Sequence, residues 1–599
     1  MQPHPHSHPF FSAPQPCHPR EGGDRSPYVG RQAVPAFAWM TSISLIITLI
    51  ISSGFAAFAQ KIYWGDEVPT AWNGHWQEKF LTTAEKSGYE RTTSSLEVLE
   101  FINTMKWNCE NVHIINLFTS ELGRVCSAVV LANPRVTSPG EAKKSGKPVI
   151  YLQGNIHPPE TEGKEALLMV MRDILVGSKK HLLDNQIIII CPNFCVDGND
   201  ALSIQHGTPH LIGSGTNSKG YNLNRDAIKL ESTDVNGLYN NVLNRWDPLL
   251  FLDSHAMDRV KHGYAICYAT SNLPAANPEP RDYVWNSLFP AVRQNIRDRF
   301  GLETFTHCLS DEENWPPTQW SHDRAYWFIE GKFLTNAYGL RNRMSIIVET
   351  PGHPSFERKI YAQYAYITEL LEYTNSNGRE MADVCHQADD HVVNQVKLEA
   401  ESGRLMNFVE GKYESYGKID ILAYKENEPE FIPETSAART RHGTADGAPE
   451  LIRGVEHVTK PVGTKEAAVP RGYLIPGNLG FLIDKLRLQN IRIDTLRSPL
   501  TVSGEEFQVD SLRHEKWYGF LMTRLQGSFV QVASRTFPAG TFLVDMAQPL
   551  ANLAFFCLEP ETPDGFAGWG FLDSLLSQGA ASKEVVYPVF KYFRKLNQE

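Results

Sequence analysis

Four short runs of unbroken apolar residues, with helical patterns between and after them, constrain this chain more than any other feature. They are Pro148 to Gln153 (PVIYLQ), Gln186 to Cys191 (QIIIIC), Leu249 to Asp253 (LLFLD) and Ser345 to Val348 (SIIV). A strand with one face in water alternates apolar and polar residues. A continuous apolar run belongs in a sheet covered on both faces. Helical spacing of apolar residues appears in Gly163 to Val176, Arg281 to Phe300 and Arg358 to Leu371. The pattern predicts an α/β fold with a mixed, mostly parallel sheet and helices on both faces. Upstream, Thr83 to Arg91 reads as a helix, and Val112 to Phe118 and Val125 to Ala132 as two β-branched strands around a turn.

After about Glu399 the texture changes. Thr435 to Glu450 is polar and rich in Gly and Ala, which reads as a loop. Short β-rich runs follow at Gly472 to Ile475, Gly527 to Ala533 and Gly540 to Asp545, with few long helical patterns. A second, β-rich domain is expected over 400–599, after a first domain over 60–390. The N-terminus reads as an address. Ile43 to Ile51 is an apolar run followed by small residues up to Ala57-Phe58-Ala59, so 40–59 resembles a signal peptide cut before Gln60. The run is too short for a stable membrane span. Residues 1–39, rich in His, Pro and Gly, read as a disordered or mis-started leader ahead of Met40. The expected location is therefore exported, periplasmic or extracellular. Eight cysteines remain after Gln60, too few for a disulfide scaffold, and Cys191-x-x-x-Cys195 lacks the second pair that a structural zinc knuckle needs. A net charge of −11 without any long Lys/Arg run excludes a nucleic-acid binder.

The chemistry-bearing residues cluster at strand ends, where open α/β sheets place their ligands. His157 and Glu160 stand three apart on the proline-bearing turn after PVIYLQ. His255 follows LLFLD-Ser. Two imidazoles and one carboxylate leave a coordination position open, the catalytic rather than the structural zinc pattern. Glu349 ends the SIIV run. A carboxylate there is costly unless solvated, paired or used, and beside a metal it can take a proton from an attacking water. Asn224 and Arg225, within Asn222-Leu223-Asn224-Arg225-Asp226, can grip a carboxylate by a forked and a neutral hydrogen bond.

In this order the set resembles the zinc carboxypeptidase (metallocarboxypeptidase) family, over about residues 75–380. The resemblance extends to Val196-Asp197-Gly198-Asn199-Asp200 and to Gly339-Leu340-Arg341-Asn342-Arg343. The C-terminal Pro470-Arg471-Gly472-Tyr473 and Glu559-Pro560-Glu561 resemble the accessory β domain of a bacterial subgroup. The resemblance implies a carboxypeptidase-like fold and one zinc per chain held by His157, Glu160 and His255. It also implies Glu349 as general base, and a substrate peptide whose terminal carboxylate meets Asn224 and Arg225. A mobile tyrosine over the substrate would be Tyr326 or Tyr338. Two departures stand out. Asn222 occupies the position where the family has an Asp that orients the first His from behind, and an amide brings no charge. Between Asn199 and Arg225 there is no Arg, although the family has one there to hold the oxyanion. Losing such a donor costs on the order of 2.7–4 kcal/mol. Lys219, Arg341 and Arg343 are the candidate substitutes.

The leading expectation is an active metallopeptidase with no nucleic-acid partner. The alternatives are a zinc amidohydrolase acting on a cell-wall peptide or acyl-amino acid, and a catalytically impaired homologue that binds peptides.

Overall fold

An eight-stranded mixed sheet forms the centre of the molecule. The structure is a computed structural model that describes residues 60–203, 211–257, 262–310, 315–322, 329–425, 448–517, 519–579 and 585–596. In chain order the sheet contains β1 (Val112–Thr119), β2 (Val125–Leu131), β3 (Val149–Gly154), β4 (Ile187–Cys191), β5 (Leu250–Met257), β6 (Ile266–Ala269) and β7 (Thr304–Thr306). Two short strands that belong elsewhere follow, β8 (Leu309–Ser310) and β9 (Gln319–Ser321), and then the eighth member, β10 (Met344–Pro351). The spatial order is β1-β2-β4-β3-β5-β10-β6-β7. The inner strands β4, β3, β5 and β10 are mutually parallel, while β1, β2 and β6 pair antiparallel with their inner neighbours.

Every residue of β3, β4 and β10 is buried, as their unbroken apolar runs predict. Alternate residues feed two cores. Ile150, Leu152, Leu250, Leu252, Ile346 and Val348 pack against helices Glu162–Leu175 and Phe356–Glu399. Tyr151, Ile189 and Phe251 point the other way, into a core completed by Leu482, Leu553 and Phe555 from the far end of the chain.

That second core rests on two further sheets. The ribbon β11 (Met406–Ala423) and β12 (Glu450–Ala468) joins β9 and β8 in a four-stranded sheet, with β12 running parallel to β9 in the register Glu456↔Gln319, His457↔Trp320, Val458↔Ser321. A seven-stranded sheet contains β13 (Gly472–Ile475), β14 (Asp494–Thr495), β15 (Leu500–Trp517), β16 (Phe520–Phe537), β17 (Phe542–Asp545), β18 (Val585–Val586) and β19 (Phe590–Tyr592). The C-terminal part also holds helices Gly480–Leu488, Ala551–Leu558 and Asp573–Gly579. Gln60–Glu599 form one compact unit.

Three sequence expectations are adjusted. The helix read over Arg358 to Leu371 is the first third of a 44-residue helix, Phe356–Glu399, so the boundary drawn at residue 390 falls inside a helix. The rest of it keeps a narrow buried stripe of Thr374, Gly378, Met381, Cys385, Ala388, Val392 and Val396, small or scattered residues that give weak periodicity. The helix read over Thr83 to Arg91 is only Thr83–Lys86, stopped where Gly88 adopts φ +63°. The long helix of that region is Ser95–Asn108, announced by the Ser94/Glu97 capping box. Residues 1–59, with the leader and signal peptide, and most of Thr435 to Glu450 lie outside the described residues. All eight cysteines after Gln60 are thiols, seven of them buried.

Candidate metal and peptide site

His157 and Glu160 leave β3 on a tight turn. Asn155 takes φ +63°, and the Glu160 N–H returns to the His157 carbonyl at 2.9 Å. The turn is anchored from below. The Asn155 amide donates to Asn193 Oδ1 (2.7 Å) and Asn199 Oδ1 (2.9 Å). Buried Lys164 also reaches Asn199 Oδ1 at 2.5 Å, and burial pulls its pKa down to about 8. Asn199 belongs to the Val196-to-Asp200 stretch singled out in the sequence, and its work is to brace this turn.

His255, two residues before the end of β5, comes to the same point. Its Nδ1 lies 2.7 Å from Glu160 Oε2, while His157 Nδ1 lies 3.0 Å from Glu160 Oε1. The two imidazole rings stand 5.0 Å apart, centre to centre. Each ring is held at its far nitrogen. His157 Nε2 meets Asn222 Oδ1 at 3.0 Å, and His255 Nε2 meets Asp253 Oδ2 at 3.0 Å. An acceptor behind Nε2 favours the tautomer that keeps the proton there and leaves the Nδ1 lone pair forward; the amide oxygen of Asn222 does this for His157 by a hydrogen bond, and the Asp253 carboxylate stands behind His255 as a charge. The two forward nitrogens and the Glu160 carboxylate lie within 4.8 Å of one another. This donor set fits zinc. Burial favours a neutral Glu160, but His157 and His255 outweigh it and hold the carboxyl far below its usual range. Burial likewise opposes charge on His255, yet Asp253 and Glu160 raise it well above the ordinary histidine value.

Asp253 is the residue that sequence reasoning missed. Read along the chain it merely closed LLFLD. In the sheet it sits two residues before His255 on the same strand face, fully buried, and accepts from Gln153 Nε2 at 3.2 Å. Gln153 in turn accepts from the Tyr151 hydroxyl at 2.8 Å. Residues alternating down one face of β3 and β5 thus form a polar chain to the candidate ligands.

Glu349 is brought to the site by register. On β10 it pairs with His255 of β5 on one side and with Cys267 of β6 on the other. It is 3 % exposed. Asn222 links the ligand turn to the Asn-Arg pair, because its Oδ1 also accepts the Asn224 N–H at 3.1 Å. Asn224 keeps its own oxygen on the Leu334 N–H (3.1 Å), and the Arg225 guanidinium lies over the Phe333 ring at 4.4 Å.

Other candidates are placed elsewhere. Tyr338 is buried in the helix Leu334–Gly339, edge-on to Phe251, with its hydroxyl donating to the Pro248 carbonyl. Pro248 precedes β5, so Tyr338 lies at the opposite strand end from His255 and does not cover a substrate. Tyr326 lies outside the described residues. Arg341 is consumed by the Gln489 carbonyl and Asn244, and Arg343 by Asp247 and Asp389, again at the far end of β10. Lys219 is paired at the surface with Glu121 at 2.6 Å. None of the three stands in for the missing arginine.

A family model described as zinc carboxypeptidase matches residues 98–247, which include His157, Glu160 and the Asn222-to-Arg225 turn. Over those residues the chain is similar to the zinc carboxypeptidase family. The chain is 24 % identical over 492 residues to "Carboxypeptidase 2" of Trichophyton equinum, an alignment covering 79 % of this chain and 81 % of that one. "Carboxypeptidase 2" of Trichophyton rubrum is 23 % identical over 488 residues, covering 76 % and 79 %. Among solved structures, a metallo-carboxypeptidase from Burkholderia cenocepacia aligns at TM-score 0.35 and 17 % identity, covering 48 % of this chain and 70 % of that one. A metallo-carboxypeptidase from Pseudomonas aeruginosa aligns at 0.34 and 17 %, covering 48 % and 69 %.

Proposed function

We propose that this chain is an exported metallocarboxypeptidase that removes C-terminal residues from peptides, with one zinc on His157, Glu160 and His255 and with Glu349 as general base. One observation carries the reading. Two imidazoles backed by Asn222 and Asp253 turn their free nitrogens onto the Glu160 carboxylate, and Glu349 stands beside His255 on the next strand. Bound there, zinc supplies Lewis acidity toward a scissile carbonyl and acidifies a water. The chain's own groups do the rest. Asn222 and Asp253 keep each imidazole proton on Nε2. Glu349 accepts a proton from the attacking water and delivers it to the leaving amine. Arg225, lying over Phe333 with Nη1 on the Asn224 carbonyl, would turn to the terminal carboxylate, and Asn224, its oxygen occupied by Leu334, offers its amide N–H.

A second reading is a peptide binder with little turnover. It is favoured by the far-end placement of Arg341 and Arg343, which leaves the oxyanion role unassigned. The test is elemental analysis followed by assay of the zinc-loaded chain and its Glu349→Gln variant against blocked dipeptides. Release of the terminal amino acid by the parent and not by the variant supports the enzyme. Equal turnover by both overturns the role of Glu349. Zinc-dependent binding with no hydrolysis by either selects the binder.

A further inference from the structure

A small cavity that none of the candidate metal ligands lines lies where the turn leaving β10 enters the helix Phe356–Glu399. His353, Arg358 and Lys359 reach it from that turn and from the start of the helix. Gly263 and Tyr264 reach it from the entry to β6, and Tyr424 from just after β11. The room for the centre of a water-sized sphere is about 10 Å³, enough for one small group. Among the described residues no carboxylate lines this cavity, whereas two full cations do.

Arg358 is 4 % exposed. Its Nε donates to the Gly65 carbonyl at 3.1 Å and its Nη2 to the Tyr63 carbonyl at 2.9 Å. Nη1 is buried and has no hydrogen-bond partner among the described residues, so it is the nitrogen left for the cavity. A buried cation ordinarily answers an anion. Here the acids of the surrounding segments are engaged elsewhere. Asp66 accepts the Ser355 N–H at 2.5 Å, Glu67 the Lys61 ammonium at 2.9 Å, and Glu357 the Trp72 indole N–H at 3.0 Å. Glu162 is paired with Lys359. Burial pulls the Arg358 pKa down to about 10, although Tyr361, Tyr424, Asp66 and Glu67 support the cation. The group therefore stays charged at neutral pH and is under-compensated. The helix adds to the field. Ser355 caps its start by accepting the Arg358 N–H at 3.3 Å, and the aligned peptide dipoles place their positive end at this turn.

We infer that this cavity binds one small monovalent anion of about the size of chloride, held by the Arg358 guanidinium with Lys359 as a second positive charge in its wall. The inference goes beyond the carboxypeptidase reading and does not depend on it, because none of the groups involved is a candidate ligand, base or carboxylate-binding residue. The size of the room admits a halide and excludes a whole sulfate or phosphate. A water could accept the Nη1 hydrogen bond, but it would leave the charge of Arg358 unanswered. An anion does both. It would also join three segments that otherwise meet only through Arg358: Tyr63 to Gly65, the turn after β10, and the entry to β6. β10 and β6 pair at Glu349↔Cys267, so the anchored segments continue the two strands that hold Glu349 in register.

The experiment compares the zinc-loaded full chain in sodium chloride and in sodium gluconate at equal ionic strength, gluconate being too large for the cavity. The melting temperature should rise with the logarithm of chloride concentration above a threshold on the order of 10 mM, by about 1–3 °C at about 0.15 M. Bromide should act as chloride does, and sulfate as gluconate does. Arg358→Gln, which removes the charge, should melt at the same temperature in both salts. A response carried by the metal would persist in that variant. Crystals of the parent chain soaked in bromide give a second reading that stands even if Arg358→Gln does not fold: an anomalous peak in contact with Arg358 Nη1 is expected. A chloride response that Arg358→Gln keeps in full overturns the inference. So does equal melting of the parent in both salts, or a bromide map without a peak at Nη1, either of which assigns the cavity to water.

Discussion

Two of the places where this molecule buries charge balance it differently. Lys591 of β19 and Glu559 are both 1 % exposed and meet at 2.8 Å. The Tyr473 hydroxyl donates to the other Glu559 oxygen at 2.5 Å, and Lys591 also reaches the Ala468 carbonyl at 2.9 Å over the Phe529 ring. One cation answers one anion, and the cluster is closed. At the ends of β3 and β5, Glu160 and Asp253 bring two carboxylates to two imidazoles, and three ligand atoms turn toward a common point. That cluster keeps three donor atoms within 4.8 Å of one another, an arrangement that could hold a cation. Closed clusters of buried charge hold a fold together, whereas open ones mark where a ligand goes.

The comparison can be broken at either cluster, and the largest effect is expected at the open one. His255→Ala should abolish both zinc retention and hydrolysis, with elemental analysis and amino-acid release as the readouts. Retained stoichiometric zinc would show that the metal sits elsewhere. Glu349→Gln should keep zinc and melting temperature while lowering kcat about 10²–10⁴-fold. At the closed cluster, Lys591→Met strands the Glu559 carboxylate and should cost about 3–5 kcal/mol in denaturant unfolding. Zinc stoichiometry and kcat/KM of the folded fraction should not change. A loss of metal there would erase the distinction between the two clusters.

A third set of buried imidazoles carries no charge and sharpens the contrast through pH. Burial holds His262 and His322 down to about 3, and His457 to about 4. Their unfolded values are near 6.5, so the unfolded chain binds protons first. The stability they contribute is full above pH 6.5 and is lost as pH falls toward 3. Each should steepen acid destabilisation by about 1.4 kcal/mol per pH unit in that window. His322→Gln should flatten the slope of unfolding free energy between pH 6 and 4, and an unchanged slope would remove it from the account. The smallest effect is at Asn222. Replacing it with Ala should weaken zinc binding about 10–100-fold in a competition titration, and replacing it with Asp should tighten it.

What could be read from the sequence follows the same physics. The inner strands were legible because sheets covered on both faces need unbroken apolar runs, and β3, β4, β5 and β10 supply them. His157, Glu160, His255 and Glu349 could be singled out because each sits where such a run stops; the structure brings the first three within 4.8 Å and sets Glu349 beside His255 in register, and their roles belong to the proposed function. Asp253 was not, because its role depends on the two-residue alternation of a strand whose other end carries the ligand. The rest of the helix Phe356–Glu399 was hidden by its sparse stripe of Thr374, Gly378 and Ala388. Tyr338 and Arg341 were misread for a related reason. Their nearness to Glu349 along the chain spans the length of β10, which puts them at its opposite end. Tyr413 of β11 is invisible to local pattern, since its packing on Ile347 depends on the pairing of β12 with β9.

That pairing has a consequence for when the protein becomes itself. His157, Glu160, His255 and Glu349 are all made before residue 350, but β9 and β8 find their sheet partner only when β12 has emerged. The core beneath Phe251 waits longer still, for Phe555, and β13 waits for β19. A chain threading out of its synthesis machinery therefore carries its chemistry early and its enclosure late. The enclosure of its candidate site is finished only after β19 has arrived.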